Sequence, residues 1–196
     1  MPMSRAPITS TLARPAAALL LAGLTGCGFQ LRGAPPVSPA LQPLAVTCSQ
    51  DIQDTLCNAV RSQLELGEVE LKSPANAAFV LNLSDFQRNR RASAITAQAS
   101  AAEYTLRHSV DMSLTSADRI PLIADTRLTA SESYRYDETN VLAKRQEEET
   151  LRIQLDERLA QQIIFRLAPL TDERIDAIRE EYEASIDAEE TDSTSP

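Results

Sequence analysis

The side chain best suited to acid–base chemistry in this sequence is its single histidine, His108. A Ser-His-Asp site would require that imidazole on an exposed rim beside a serine. His108 instead falls within an alternating run, residues 103–115, which predicts a half-buried or surface position on a β-strand. The sequence also contains no GxSxG, no HExxH and no glycine-rich phosphate loop. Catalysis is therefore not expected, and a hydrolase built around His108 is the enzymatic alternative.

Cysteine chemistry offers two further possibilities, because the sequence has three cysteines. Cys27 ends a hydrophobic leader, which leaves Cys48 and Cys57 as an even pair. In an oxidising compartment such a pair predicts a disulfide, with two buried thiols as the alternative. A closed loop of this size would add roughly 2–3 kcal/mol of stability. A metal site is not expected, since the chain has one histidine and no CxxC motif.

The leader that ends at Cys27 predicts export and lipid attachment. Two arginines and no acid precede an apolar run over residues 16–24. This is the plan of a secretory signal, and the run is shorter than the roughly 20 residues that span a bilayer. The segment Leu24-Thr25-Gly26-Cys27 resembles the lipobox of bacterial lipoproteins, in which the cysteine thiol carries a diacylglycerol. We predict a signal peptide over residues 1–26 and a lipid on Cys27; a plain signal peptide is the alternative.

The residue after the lipobox bears on location. Gly28 follows the cysteine, where an aspartate would resemble an inner-membrane retention signal. This favours the outer membrane, periplasmic face. Two or more acyl chains would hold the protein there stably, where a single chain is marginal. No cofactor besides this covalent lipid is expected.

Acidic residues outnumber basic ones, so the formal net charge is −9. This acidity argues against a nucleic-acid binder, which would carry a basic face. Lys144 and Arg145 lie at the predicted start of a long helix, where cations are mildly unfavourable. Arg88, Arg90 and Arg91 cluster where a strand is predicted to end. Both groups could present cations to phosphates, and ordinary solubility or strand-edge protection is the alternative.

Hydrophobic periodicity predicts the strands that would position these residues. Residues 34–43 contain four prolines and predict an extended tether. A short apolar run predicts a first strand over 44–48, and alternation predicts three longer strands over 78–88, 103–115 and 121–136. Residues 91–100 either extend the second strand or form a turn. The last three strands follow one another closely, which suggests an antiparallel meander.

The helices are predicted from apolar stripes and terminal signals. The first would be capped by Ser49 or Asp51 and ended by Gly67; its stripe consists of Ile52, Leu56, Val60 and Leu64. The second would cover residues 141–167, with Glu147, Glu148 and Glu149 on its solvated face near the start. Residues 171–186 predict one more acidic helix, and residues 188–196 are predicted to be disordered.

These elements predict an α+β fold in the order β-α-β-β-β-α. Each sheet face and helix stripe must be buried on a partner. The expected architecture is a two-layer α/β sandwich, with one mostly antiparallel sheet of about four strands and two helices packed on one face. We divide the chain into the signal peptide (1–26), a lipidated tether (27–43), the sandwich domain (44–169) and an acidic tail (170–196).

Three segments resemble the LptE family of lipopolysaccharide-assembly lipoproteins. "CGFQLRG" (residues 27–33) is similar to the mature start of that family, and "AEYTLRHSVDMSL" (102–114) is similar to its central strand. "ESYRYDETNVLAKRQEEETLRIQLDERLAQQIIFRL" (132–167) resembles its last strand, its loop with Ala143-Lys144, and its final helix. The acidic tail and the pair Cys48/Cys57 fall outside the resemblance.

The resemblance implies a non-enzymatic subunit of the lipopolysaccharide translocon. Such proteins are anchored in the outer membrane, sit as a plug inside the β-barrel LptD, help that barrel to assemble and contact lipopolysaccharide. Lys144, at the matching loop, would then meet lipid A phosphates, together with Arg145 and with Arg88, Arg90 and Arg91. A scaffold or chaperone lipoprotein of another envelope complex is the alternative.

Overall fold

The computed structural model describes residues 37–52, 54–95 and 101–193. Cys27 and the predicted signal peptide lie outside this part of the chain, as do residues 96–100. The described elements are β1 (Leu44–Cys48), α1 (Asp54–Leu66), β2 (Phe79–Ile95), β3 (Ala101–Ser116), β4 (Pro121–Arg135), α2 (Val141–Leu167) and α3 (Asp172–Ser193). None of the described helices combines the length and apolarity needed to cross a bilayer.

The strands form one four-stranded sheet in the order β1-β2-β3-β4. The strands β2, β3 and β4 are antiparallel neighbours, as the meander predicts. β1 runs parallel to β2, because α1 carries the chain back to the end of the sheet where β1 began. The predicted α+β sandwich is confirmed, but the sheet is mixed rather than mostly antiparallel.

One hydrophobic core lies between the sheet and the helices. α1 buries Leu56, Val60 and Leu64, at the helical spacing that the sequence predicts. α2 contributes a second stripe to the same core: Leu155, Leu159, Ile163 and Leu167. The covered face of the sheet supplies the alternate residues of its strands, which include Leu81, Leu83, Leu106, Met112 and Leu114. The opposite face, which we call the open face, carries mainly polar side chains.

Helix α1 starts later than predicted. Ile52 is buried as expected but precedes the helix, whose first residue is Asp54. Asp51 is not a helix cap, because its carboxylate accepts hydrogen bonds from the Ser49 hydroxyl and, at 2.8 Å, from the backbone N–H of Phe86. These donors lower the pKa of Asp51. Phe86 sits at a β-bulge, where the register with β3 shifts and Asp85 has a positive φ of 46°.

The end of α1 differs from the prediction in which residue adopts the left-handed conformation. The helix stops at Leu66 as predicted, but the left-handed residue is Glu68 (φ 59°), not Gly67. The N–H of Gly67 still bonds to the carbonyl of Gln63, and the N–H of Val69 bonds back to Leu64. The chain therefore reverses one residue after the glycine.

The acidic tail is more ordered than predicted. α3 runs through Ser193 and so includes most of the segment that was predicted to be disordered. Residues 172–193 contain neither glycine nor proline and are rich in Glu and Ala, which favour helix. Ile175 is buried, while Ile178 and Tyr182 pack against the core. The start of α3 therefore belongs to the sandwich.

The first strand is tied to its surroundings on two sides. Cys48, at the end of β1, forms a disulfide with Cys57 of α1, with Cα atoms 6.4 Å apart. Val37 and Leu41, which the sequence assigns to the tether, are buried in the same core. The packed structure therefore begins before Leu44, within the segment that was predicted to be extended.

Side chains from the helices cover carbonyls on both edges of the sheet. Arg61 of α1 donates to the carbonyl of Val46 in β1 at 3.1 Å. Gln162 and Arg158 of α2 donate to carbonyls of β4, those of Thr129 and Ser131. Such contacts occupy groups that could otherwise pair with another strand.

Candidate functional site

The predicted arginine cluster on β2 divides between the two faces of the sheet. Arg88 and Arg90 are the cross-strand neighbours of His108 and Leu106, both of which are buried. Since successive residues of a strand point to opposite faces, Arg88 and Arg90 lie on the covered face. Arg91 lies on the open face and is exposed. The three arginines therefore do not form one patch.

Arg90 belongs to a network of polar and aromatic groups on the covered face. Its guanidinium lies 3.8 Å from the centroid of the Tyr104 ring, within the range of a cation–π contact. It is also 3.6 Å from a carboxylate oxygen of Glu148 on α2. Tyr134 donates to the same carboxylate at 2.5 Å, and Arg152 donates to its other oxygen. Two cations thus compensate one largely buried carboxylate.

The prediction that Glu147, Glu148 and Glu149 all lie on a solvated face of α2 is wrong for Glu148. It is 9% exposed and is the member of the triplet that turns toward the sheet. Burial, and secondly the hydrogen bond to this carboxylate, raise the pKa of the Tyr134 hydroxyl well above its ordinary value of 10. Tyr134 is therefore a fixed hydrogen-bond donor at neutral pH.

The predicted cations at the start of α2 lie next to this network. Lys144 precedes Glu148 by one helical turn and forms a 2.6 Å ion pair with Glu147. The Lys144 side chain is 22% exposed. Arg145 is exposed and has no ion pair within the described part of the chain. Folding therefore brings these cations close to Arg90, although they are more than 50 positions apart in the sequence.

The open face carries three further arginines, Arg107, Arg127 and Arg135, that were not predicted as binding residues. Arg107 of β3 and Arg135 of β4 are exposed there. A pocket on this face is lined by Asn89, Arg91, Thr105 and Arg107. Alternation could have located both residues, since Arg107 separates two buried side chains and Arg135 follows the buried Tyr134.

Arg127 lies on the same face but, unlike Arg91 and Arg107, is paired with carboxylates among the described residues. Its guanidinium pairs with Asp85 at 2.6 Å and with Asp111 at 3.2 Å, and it donates to the Ser109 hydroxyl at 3.1 Å. The hydrogen bond from Arg127 lowers the pKa of Asp85. One end of the open face is therefore neutralised by its own carboxylates.

The single histidine is buried rather than at the surface. His108 is 1% exposed, and its Nδ1 lies 2.7 Å from an oxygen of Asp156 on α2. The Thr55 hydroxyl of α1 donates to the other oxygen of Asp156 at 2.7 Å. Phe86 packs with its ring edge-on to the imidazole, at a centroid distance of 5.7 Å. This arrangement joins both helices to the sheet and leaves His108 far from an exposed rim.

The sandwich is the fold of several bacterial lipoproteins of known structure. The minor lipoprotein of Acinetobacter baumannii is 24% identical with a TM-score of 0.55, covering 64% of this chain and 90% of that one. Rare lipoprotein B of Shewanella oneidensis is 24% identical with a TM-score of 0.57, covering 64% and 93%. Lipoprotein B of Nitrosomonas europaea is 19% identical with a TM-score of 0.61, covering 72% and 90%. At these identities the likeness concerns the fold.

The family comparison is more specific. The family described as LptE, lipopolysaccharide-assembly, matches residues 41–167, from the buried Leu41 to the end of α2. The chain therefore belongs to the LptE family, as its sequence resemblance predicts. A comparison with curated proteins returns no significant match.

Proposed function

We propose that this protein is the lipoprotein subunit of a lipopolysaccharide translocon in the outer membrane. In this role the sandwich plugs an LptD-type β-barrel, assists its assembly and contacts lipopolysaccharide during insertion into the outer leaflet. The observation that carries the proposal is the family match across residues 41–167, which covers the whole sheet and both helices of the core.

The proposed anchor is the lipid on Cys27. The lipobox-like segment and the leader before it support this assignment. A Cys27→Ser variant should not incorporate a labelled fatty acid. A Cys48→Ser/Cys57→Ser variant, which retains Cys27, is the control and should be labelled normally. Labelling of the Cys27→Ser variant would contradict the assignment.

The proposed lipopolysaccharide contact includes Lys144 and Arg145, with Arg90 beside them. We expect Lys144→Asp to weaken lipopolysaccharide binding about tenfold, the effect of losing one charge-assisted contact. Lys72→Asp is the matched control, because Lys72 also pairs with a glutamate, Glu70, at 2.9 Å. Equal binding by the two variants, both folded by circular dichroism, would remove Lys144 from the contact.

Copurification tests the partner. The membranes would be solubilised gently and the protein isolated through a tag placed after Pro196. Recovery of a large β-barrel protein at a one-to-one ratio would support the plug. Recovery of a different envelope complex would favour the alternative of a scaffold or chaperone lipoprotein.

The geometry of His108 supports a non-enzymatic role. Its Nδ1 is engaged by Asp156, and its ring is enclosed by the core and Phe86. A general base must reach the proton that it removes, and this imidazole is buried between the sheet and α2. We infer that His108 and Asp156 serve the packing of the sandwich.

A further inference from the structure

We propose that Arg91 and Arg107 form an anion site on the open face of the sheet, with a phosphate monoester as its ligand. The two residues belong to neighbouring strands and line one pocket together with Asn89 and Thr105. This site is separate from the cations of the covered face. It deepens the proposed function, and it rests on that function for the lipid origin of the phosphate.

The register of β2 and β3 sets the spacing of the two arginines. Arg91 is directly across from Thr105, and Asn89 is directly across from Arg107. The arginines are therefore diagonal neighbours, with Cα atoms roughly 7–8 Å apart. Long side chains at this separation can reach one ligand between them. The Thr105 hydroxyl, which lies 2.8 Å from that of Ser133 on β4, borders the same space.

Neither arginine has an ion pair within the described part of the chain. Two like charges at neighbouring positions of a sheet repel each other unless an anion lies between them. The chain is acidic, and at the other end of the face it places Asp85 and Asp111 against Arg127. Among the described residues no carboxylate lines the pocket around Arg91 and Arg107, which points to an external anion.

One acid on this face, Glu103, lies on β3 two residues before Thr105. Glu103 is directly across from Arg135 and accepts a hydrogen bond from the Ser93 hydroxyl at 2.9 Å. Within the described residues Glu103 forms no ion pair, and with Arg135 across from it three cations stand against one carboxylate at this end of the face.

The chemistry of the pocket matches a phosphate monoester. Such a group carries a charge of about −1.5 to −2 at neutral pH and offers three acceptor oxygens. Two guanidinium groups balance this charge and can bond to the oxygens bidentately. The Asn89 amide and the Thr105 hydroxyl supply neutral donors beside them. A carboxylate carries one negative charge and would balance only one of the two cations.

Calorimetry of the detergent-solubilised full-length protein tests the site. The probes are dihexanoyl phosphatidate, dihexanoyl phosphatidylcholine and inorganic phosphate. We expect phosphatidate to bind and phosphatidylcholine not to bind. The Arg91→Gln/Arg107→Gln variant should lose at least tenfold in affinity for phosphatidate. The matched control is Arg166→Gln/Arg174→Gln, which removes the same charge from exposed positions of α2 and α3 and should bind normally.

Each outcome decides a different point. Tighter binding of phosphatidate than of inorganic phosphate would identify a lipid headgroup, and equal binding would identify a site for phosphate alone. No binding by the unaltered protein, or an equal loss in the control variant, would overturn the site. If the Arg91→Gln/Arg107→Gln variant still copurifies with the β-barrel, such a failure leaves the proposed function intact.

Discussion

Neighbouring residues of one strand have different environments on the two faces of the sheet. Arg90 points to the covered face, where Tyr104 and Glu148 surround its guanidinium. Arg91, the next residue, points to the open face and has no ion pair within the described residues. The helices account for this difference, because α2 places Glu148 and Asp156 against the covered face. Within the described residues, the open face has only its own strands to provide partners.

This contrast separates polar groups that hold the fold from polar groups that are free to bind. On the covered face, a change should reduce the stability of the sandwich. On the open face, a change at Arg91 or Arg107 should reduce ligand binding and leave stability nearly unchanged. Four predictions on stability test this division.

The largest effect is expected for Asp156→Ala on the covered face. This substitution leaves the buried His108 without its carboxylate partner and the exposed Thr55 hydroxyl without its acceptor, and should cost about 3 kcal/mol of unfolding free energy. Urea unfolding followed by circular dichroism measures the loss. The control is Glu157→Ala, the exposed neighbour on α2, which should change stability by about 0.5 kcal/mol or less. Equal unfolding midpoints for the two variants would show that the buried network contributes little.

The disulfide that ties β1 to the covering helix should come next. Cys48→Ser/Cys57→Ser should lower the unfolding free energy by about 2–3 kcal/mol, since the unfolded chain regains the freedom of the closed loop. Unfolding of the unaltered protein with and without a reductant provides the comparison. The reductant should destabilise the unaltered protein and leave the double variant unaffected. A reductant effect on both would mean that it acts elsewhere.

Removal of one hydroxyl should have a smaller effect. Tyr134→Phe deletes a donor to Glu148, which keeps Arg90 and Arg152, so a loss of about 1 kcal/mol is expected near pH 7. Folding raises the pKa of Tyr134 above its ordinary value near 10. The stability from the neutral hydroxyl is therefore complete below pH 10 and falls as the pH rises above it. The unaltered protein should lose more stability than Tyr134→Phe between pH 9 and 11, and parallel losses would refute the shift.

The smallest stability effect is expected on the open face. Arg127→Gln breaks solvent-exposed ion pairs, which contribute little to stability. It should lower the unfolding midpoint only slightly, and phosphatidate binding at Arg91 and Arg107 should persist. A large loss of binding in this variant would mean that the whole face acts as one diffuse patch. That result would remove the distinction between its neutralised and free ends.

Much of the fold could be predicted from local patterns. The stripe Leu56, Val60 and Leu64 locates α1, and the bounds 44–48 and 141–167 agree with β1 and α2. The start of α1 could not be predicted, because Asp51 has the right residue type for a cap but bonds instead to the backbone of β2. The left-handed position at Glu68 likewise carries no sequence signal, since Gly67 is the residue that favours it.

The candidate site divides in the same way. Lys144, Arg145 and Arg91 were named from residue type and position, whereas Arg107 and Arg135 were not, although strand alternation contains the necessary signal. The pairing of Glu148 with Tyr134 and of Asp156 with His108 spans 14 and 48 positions. Hydrophobic periodicity does not indicate contacts between residues that lie so far apart in the sequence.

The sequence by itself determined where helices and strands form, which residues of each share a face, and the motif at Cys27. These features depend on dihedral preferences and on spacings of two or 3.6 residues, which neighbours along the chain define. The tertiary structure alone decided that β1 lies parallel to β2, that α2 brings Glu148 and Asp156 into the covered face, and that Arg91 meets Arg107 in one pocket. These features depend on which distant segments pack together, because burial of a carboxylate or convergence of two cations is set by the groups around it.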